Sequence, residues 1–227
     1  MTMIADKLHR LRSRISAACQ ACSRPADAVQ LLAVSKTCDA AAVRQAYEAG
    51  QTAFGENYIQ EGVDKITALA GLPLQWHCIG PIQSNKTRLV AAHFDWVHSI
   101  DRLKIAQRLS EQRPPAKAPL QVCIQVNIDG GATKAGVAPQ DALELALQIQ
   151  ALPQLRLRGL MTIPEPAPDH AAALAVHQRA RALFDALNAQ GLGLDTLSMG
   201  MTGDLEAAVA AGSTLVRVGT AIFGERG

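Results

Sequence analysis

Short apolar runs rich in branched side chains alternate along the chain with longer segments whose apolar residues recur every three or four positions. Residues 4–22 place Ile4, Leu8, Leu11, Ile15, Ala18 and Cys22 on one stripe, which predicts an amphipathic helix that docks on the rest of the protein. After Pro25 the run from Gln30 to Ser35 predicts a buried strand, and Asp39 is placed to cap a helix that reaches Glu48 before Gly50 ends it. The alternation then repeats. Strands are predicted over 52–55, 75–79 and 96–98, each followed by a helix: one running to Leu69, one starting at Ser84 and one capped by Asp101. Further strands over 120–127, 155–161, 194–197 and 214–218 alternate with helices over 139–149, 170–189 and 204–210, which makes eight strands.

Strands that are apolar on both faces and separated by helices pair in parallel through right-handed crossovers, and eight such units can close into a (β/α)8 TIM-type barrel. An open doubly wound sheet is the alternative, but no G-x-G-x-x-G follows the first strand. Little chain follows the last strand, so the helix at 4–22 is expected to cover the outer face that a terminal helix would otherwise cover. The Pro-rich stretches 113–119 and 164–168 read as loops inside a single domain spanning 1–227.

Charge narrows the range of partners. Lys and Arg total 22 against 20 for Asp and Glu, so no pervasive basic field argues for nucleic acid or an anionic membrane, while small anionic ligands remain open. The five cysteines are odd in number and mostly flanked by apolar residues, which suits reduced thiols better than a disulfide framework. Cys19 and Cys22 have C-x-x-C spacing but lie late in an amphipathic helix without a second pair, and they read as packing rather than as a metal or redox site. The N-terminus lacks an apolar signal core, and no stretch approaches the roughly 18 apolar residues of a membrane span. A soluble, cytoplasmic protein is expected.

In a parallel barrel the functional residues lie at the carboxyl ends of the strands, and here those positions are polar. Lys36 directly follows Leu31-Leu32-Ala33-Val34, where desolvation at the barrel mouth would lower the amine's pKa and let it condense with an aldehyde; a lysine snorkelling to solvent is the plainer alternative. The run Ser198-Met199-Gly200-Met201-Thr202-Gly203-Asp204 offers backbone N–H groups, hydroxyls and a helix start suited to a phosphate, and Gly219-Thr220 adds a second such pair. Loops after the last two strands are the recurrent phosphate site of this barrel class. Arg217 lies on an apolar strand and needs an acceptor inside the barrel, either a pyridine nitrogen or an ion pair with Glu56 or Asp204.

Several long blocks in order carry a family resemblance over nearly the whole chain. They are LLAVSKT at 31–37, FGENYIQE at 54–61, WHCIGPIQSNK at 76–86, HSIDR at 98–102, RGLMTIP at 158–164 and LSMGMTGDLEAAVAAGSTLVRVGTAIFGER at 197–226. With these the chain resembles the pyridoxal 5'-phosphate (PLP) homeostasis proteins, one-domain relatives of the N-terminal barrel of alanine racemase with PLP fold type III. The resemblance implies that PLP is held as a Schiff base on Lys36, that Arg217 faces the pyridine nitrogen, and that Asn57 and His77 line the ring pocket. It also implies that Ser198, Met199, Gly200, Gly219 and Thr220, with nearby backbone, bind the phosphate. Lys134 resembles a family lysine implicated in handling PLP away from the main site, although from the residues alone it reads equally as a solvated loop charge. Thr202 stands where the family commonly has serine, which keeps the hydroxyl, and Glu225 replaces a smaller residue.

The same resemblance separates a carrier from an enzyme. PLP catalysis is strongest when the ring nitrogen is protonated beside a carboxylate, and a guanidinium there disfavours that state, although related racemases work with an arginine. Two-base racemisation also needs a second acid/base group, which the related racemase takes from a C-terminal β domain; the chain given stops at Gly227, and Tyr47 and Tyr58 are expected within early helices. The expectation is therefore a monomeric, non-catalytic PLP-binding protein acting in vitamin B6 homeostasis, with apo PLP-dependent enzymes as acceptors. A PLP-dependent amino-acid racemase or another PLP enzyme is the alternative, and a purely structural interaction module would carry no chromophore.

Overall fold

The structure, a computed structural model, describes residues 3–131 and 135–224. Lys134 and Glu225 lie outside these described residues. Eight parallel strands, β1 (Gln30–Val34), β2 (Ala53–Glu56), β3 (Gln75–Cys78), β4 (Trp96–Ile100), β5 (Leu120–Gln125), β6 (Leu155–Met161), β7 (Thr196–Ser198) and β8 (Leu215–Val218), form a closed barrel in chain order. The barrel closes where β8 pairs with β1, with Leu32 opposite Arg217 and Ala33 opposite Val218. The outer ring consists of α1 (Met3–Ala21), α2 (Ala40–Glu48), α3 (Ile59–Ala68), α4 (Thr87–His93), α5 (Leu103–Gln112), α6 (Ala142–Gln150), α7 (His170–Ala189), α8 (Leu205–Ala210) and α9 (Thr220–Phe223).

The elements form where local chemistry starts and stops them. Asp39 and Asp169 precede α2 and α7 in extended conformation, and each carboxylate accepts a backbone N–H three residues on at 2.8 Å, satisfying a donor the first turn leaves free. Asp101 does not cap α5 as expected. Arg102 holds the cap position without a side-chain bond, because the Asp101 carboxylate instead accepts from the Arg102 guanidinium at 2.7 Å. A 3₁₀ turn over Ser84–Lys86 precedes α4 and another over Pro139–Asp141 precedes α6, so both predicted helices begin tighter than expected. Past β8 the chain makes one more helical turn, α9, which the hydrophobic pattern is too short to announce.

Two apolar layers result from strand alternation. Outward positions such as Ala33, Phe54, Val97, Val122, Ile124, Leu197 and Val216 pack beneath the helices in the main core, while Leu32, Val34, Ile79 and Leu215 form a separate cluster facing the barrel axis. On the other side of the interior, Trp96, Cys123 and Met161 make a third group. Leu8, Leu11, Ile15, Ala18 and Cys19 of α1 are buried, and α1 packs against α2, α8 and α9 across the β8–β1 seam, as expected for a helix that stands in for the short terminal one. Each of its larger side chains contributes about 1.5–3 kcal/mol. Cys19 is thus a core residue, and the free Cys78 and Cys123 are buried with thiols pushed up to about 12 by desolvation, which keeps them protonated and inert.

Candidate functional site

The order β7, β8, β1, β2 is contiguous around the barrel, so the segments leaving these four strands share one sector of its carboxyl-end mouth. Lys36 continues the inward alternation of Leu32 and Val34, is half-buried, and makes no side-chain hydrogen bond or ion pair among the described residues. Thr37, the next residue, has φ 63°, a conformation that costs a non-glycine residue about 1 kcal/mol and must be held by its surroundings. Asn57 leaves β2, and its Oδ1 is buried without a hydrogen-bond partner among the described residues. Gly80 leaves β3 so close to it that a Cβ there would lie 2.1 Å from the Asn57 carbonyl oxygen, so only glycine permits this approach.

A set of buried charges holds the backbone on both sides of Lys36. Ser35 and Glu56 point outward between β1, β2 and α3, and Lys65 of α3 donates to Ser35 O at 2.6 Å, Glu56 Oε1 at 2.8 Å and Glu61 Oε1 at 2.6 Å. Ser35 Oγ donates to Glu56 Oε1 at 2.5 Å, and Glu61 Oε1 accepts the Thr37 N–H at 2.5 Å. Burial pushes the Glu56 carboxyl above its ordinary value in spite of the opposing bonds from Lys65 and Ser35. Sequence reading missed this network. Its signal is Lys65 lying one turn after Gly62 and Glu61 on α3, on the side where Gly62 packs inward and a solvated lysine is not expected.

Arg217, 4% exposed, occupies the interior beneath the mouth. Its Nη1 donates to Ser198 O at 2.8 Å and Ser198 Oγ at 2.7 Å, and its Nη2 donates to Thr162 O at 2.8 Å. Neither carboxylate proposed as an ion-pair partner hydrogen-bonds to it: Glu56 is paired with Lys65 at 2.8 Å and Asp204 with His177 at 2.9 Å. Burial lowers the guanidinium to about 10, which leaves it charged at neutral pH. Of its five N–H donors, Nε–H and one on Nη2 have no acceptor among the described residues, so an acceptor such as a pyridine nitrogen fits the site.

Three of the expected site residues meet other groups in this structure. The Ser198 hydroxyl is turned into the barrel, where it meets Arg217 at 2.7 Å and His98 Nδ1 at 2.9 Å rather than a phosphate loop. Met199 packs in the helix-side core and its N–H is spent on Leu215 O, because the strand alternation that turns Ser198 inward turns Met199 outward. His77 is 1% exposed, stacks on Trp96 at 5.2 Å, and has both ring nitrogens occupied by His98 and Gln75, so it lies inside the barrel.

The other phosphate candidates lie on the segments that leave β7 and β8. Gly200 has φ 97°, which lets the chain leave β7 toward Met201–Asp204, and Gly219 opens α9, whose first N–H groups at Thr220 and Ala221 have no acceptor within the helix. Asp204 organises the first loop, accepting Met201 N–H at 2.6 Å and His177 Nε2 at 2.9 Å. Beside it opens a cavity of about 690 Å³, lined by Ile163, Pro164, Pro166, Val176, Met201 and Gly203 among others.

Burial alone would raise the Asp204 carboxyl, but the bonds from His177 and the Met201 N–H outweigh it and hold it below the ordinary 3.8. A folded-state value below the unfolded one means that the stabilisation is complete above the unfolded value and is lost as pH falls through the folded one. Urea melts between about pH 5 and pH 2 should therefore show stability falling in native protein. Asp204→Asn should be about 1 kcal/mol less stable at neutral pH and flatter with acid. Identical acid slopes would remove this role from Asp204.

Residues 7–227 match the family model for the alanine racemase N-terminal domain, the class of barrel that this fold and its mouth define. The pyridoxal phosphate homeostasis protein of Pseudomonas aeruginosa is 59% identical over 226 residues, covering 100% of this chain and 97% of that protein. Its Escherichia coli counterpart is 52% identical over 229 residues, covering 100% and 98% respectively. PipY of Synechococcus elongatus, solved with PLP bound, superimposes with a TM-score of 0.86 at 41% identity, covering 97% of this chain and all of that one. The chain belongs to the pyridoxal phosphate homeostasis protein family. Alanine racemase of Clostridium difficile shares the fold, with a TM-score of 0.72 at 15% identity, and this chain covers 53% of it.

Proposed function

We propose that this chain binds PLP covalently through Lys36 and serves in PLP (vitamin B6) homeostasis without turning over amino acids. The reading is supported by a half-buried lysine at the end of β1 with no side-chain partner among the described residues and, on the neighbouring strand β8, a buried guanidinium with donors to spare. The buried Asn57 Oδ1, which has no hydrogen-bond partner among the described residues, the Gly200 turn after β7 and the Gly219 start of α9 fit the same ligand. PLP supplies an aldehyde carbon and an electron-accepting ring. Lys36 provides the amine, Arg217 donates to the ring nitrogen, and Gly200, Gly219 and Thr220 with the adjoining backbone hold the phosphate. An arginine in that place disfavours protonation of the ring, which weakens it as an electron sink and supports a carrier over a catalyst.

Residues 1–227 act in this proposal as one PLP-binding unit, monomeric and cytoplasmic, that hands PLP to apo PLP-dependent enzymes by exchange between Lys36 and an acceptor lysine. Among the described residues no helix is long and apolar enough to cross a membrane. Tyr58 sits at the start of α3 and is 58% exposed, rather than within the helix as expected, so it is the tyrosine to watch for residual proton transfer.

Two measurements test the proposal. PLP-loaded protein treated with borohydride should gain one PLP-sized increment mapped to Lys36. Incubation with a panel of amino acids in deuterated water should leave their α-protons in place; exchange at turnover rates would make the protein a racemase or another PLP enzyme.

A further inference from the structure

A line of polar side chains runs through the barrel from its amino-terminal end to Arg217, and the proposed PLP contacts use none of its first three members. Gln75 Oε1 lies 3.0 Å from His77 Nε2, His77 Nδ1 lies 2.9 Å from His98 Nε2, and His98 Nδ1 lies 2.9 Å from Ser198 Oγ. Ser198 Oγ in turn meets Arg217 Nη1 at 2.7 Å. Gln75 is exposed, whereas His77, His98, Ser198 and Arg217 are all buried, so the line crosses an interior from which water is excluded.

The two ends fix which way every proton points. A guanidinium only donates, so Ser198 Oγ accepts from Arg217 and must send its own proton elsewhere. The amide oxygen of Gln75 only accepts, so His77 carries its proton on Nε2. Nδ1 of His77 is then an acceptor, which places the His98 proton on Nε2 and leaves His98 Nδ1 to take the Ser198 proton. In the opposite direction the Ser198 hydrogen would have no acceptor, at a desolvation cost that buried polar groups rarely bear. Both imidazoles are neutral in this arrangement, in keeping with burial lowering His77 to about 3 and holding His98 well below its ordinary value.

We propose that Gln75, His77, His98 and Ser198 form a one-way hydrogen-bond relay that presents the Ser198 oxygen to Arg217 and so positions the guanidinium toward the ring nitrogen of PLP. The proposal rests on the reading of Arg217 given above. These are positioning residues, since they act through Arg217 and not on the cofactor. Trp96 stacks on His77, and Arg158 lies 4.7 Å over Trp96, so the lower half of the relay packs against a ring that is itself held by a cation.

The relay is testable first without PLP. Nitrogen-15 NMR of the apoprotein should find His77 and His98 as Nε2–H tautomers, and Ser198→Ala should shift the His98 Nδ1 resonance. In PLP-loaded protein His98→Leu should weaken PLP by about tenfold and move the visible band while the reducible bond to Lys36 persists. His98→Gln should recover affinity to within about threefold, because its amide can accept from Ser198 and donate to His77. If His98→Leu does not fold, Ser198→Ala carries the same expectation with a smaller change of volume. An Nδ1–H tautomer at His98, or native affinity and band in a folded His98→Leu or Ser198→Ala protein, overturns the relay. An Arg217→Gln protein with an unchanged PLP spectrum overturns the Arg217 reading instead, and with it the purpose assigned to the relay.

Discussion

Replacing Lys36 with alanine is expected to leave no borohydride-fixed PLP on the protein and to abolish the visible band of the loaded form. The amine is the group that bonds to the aldehyde, and no neighbour can take its place. Lys65, on the outer side of the same strand end, is 5% exposed and already donates to three oxygens. Phosphate and ring-nitrogen contacts would remain, so PLP should still bind reversibly, at least about a hundredfold more weakly once the intramolecular capture step is gone. Stability should move by less than about 0.5 kcal/mol, because the side chain forms no hydrogen bond among the described residues and is only half-buried. An intact absorption band and reducible bond in this variant would refute the site.

The barrel could be read from the sequence because its strands are apolar on both faces and its helices on one, and this periodicity belongs to each segment separately. Lys36 and Arg217 were visible for the related reason that a charge interrupting a buried run must have somewhere to go. Contacts between segments were not visible. Whether Ser198 faces a phosphate loop or the barrel axis depends on the register of β7 against β8, where Ser198 stands opposite Leu215, and no single segment carries that register. The same holds for His77 and His98. His77 reads as a strand-end residue and His98 as part of its strand, and only the pairing of β3 with β4 brings their rings within 5.1 Å of each other inside the barrel. The Asp101 cap failed for a local reason, since a carboxylate beside an arginine has a nearer donor than the helix.

Changing Lys65 to methionine is expected to be the most destabilising single substitution at the mouth, by about 3–5 kcal/mol, because it removes one member of a buried ion pair and strands the other. Glu56 is fully buried, and its Oε2 already lacks a hydrogen-bond partner among the described residues, so without Lys65 the carboxyl would keep, among them, only the bond from Ser35. Urea denaturation measures the loss; a cost under about 1 kcal/mol would mean that the charges are solvated rather than buried. The double variant Lys65→Met with Glu56→Leu separates stability from function. Replacing both charges by apolar groups should restore most of the stability, since a buried pair is commonly no better than a hydrophobic one of similar size. It does not restore the bond from Lys65 to the Ser35 carbonyl, and the Glu61 carboxylate that holds the left-handed Thr37 loses the lysine that holds it in turn. Lys36 lies between those two residues, so the double variant should refold to near-native stability yet fix PLP more slowly under borohydride. Recovery of both properties together would make the network a stabilising device alone and leave Lys36 positioned by its strand.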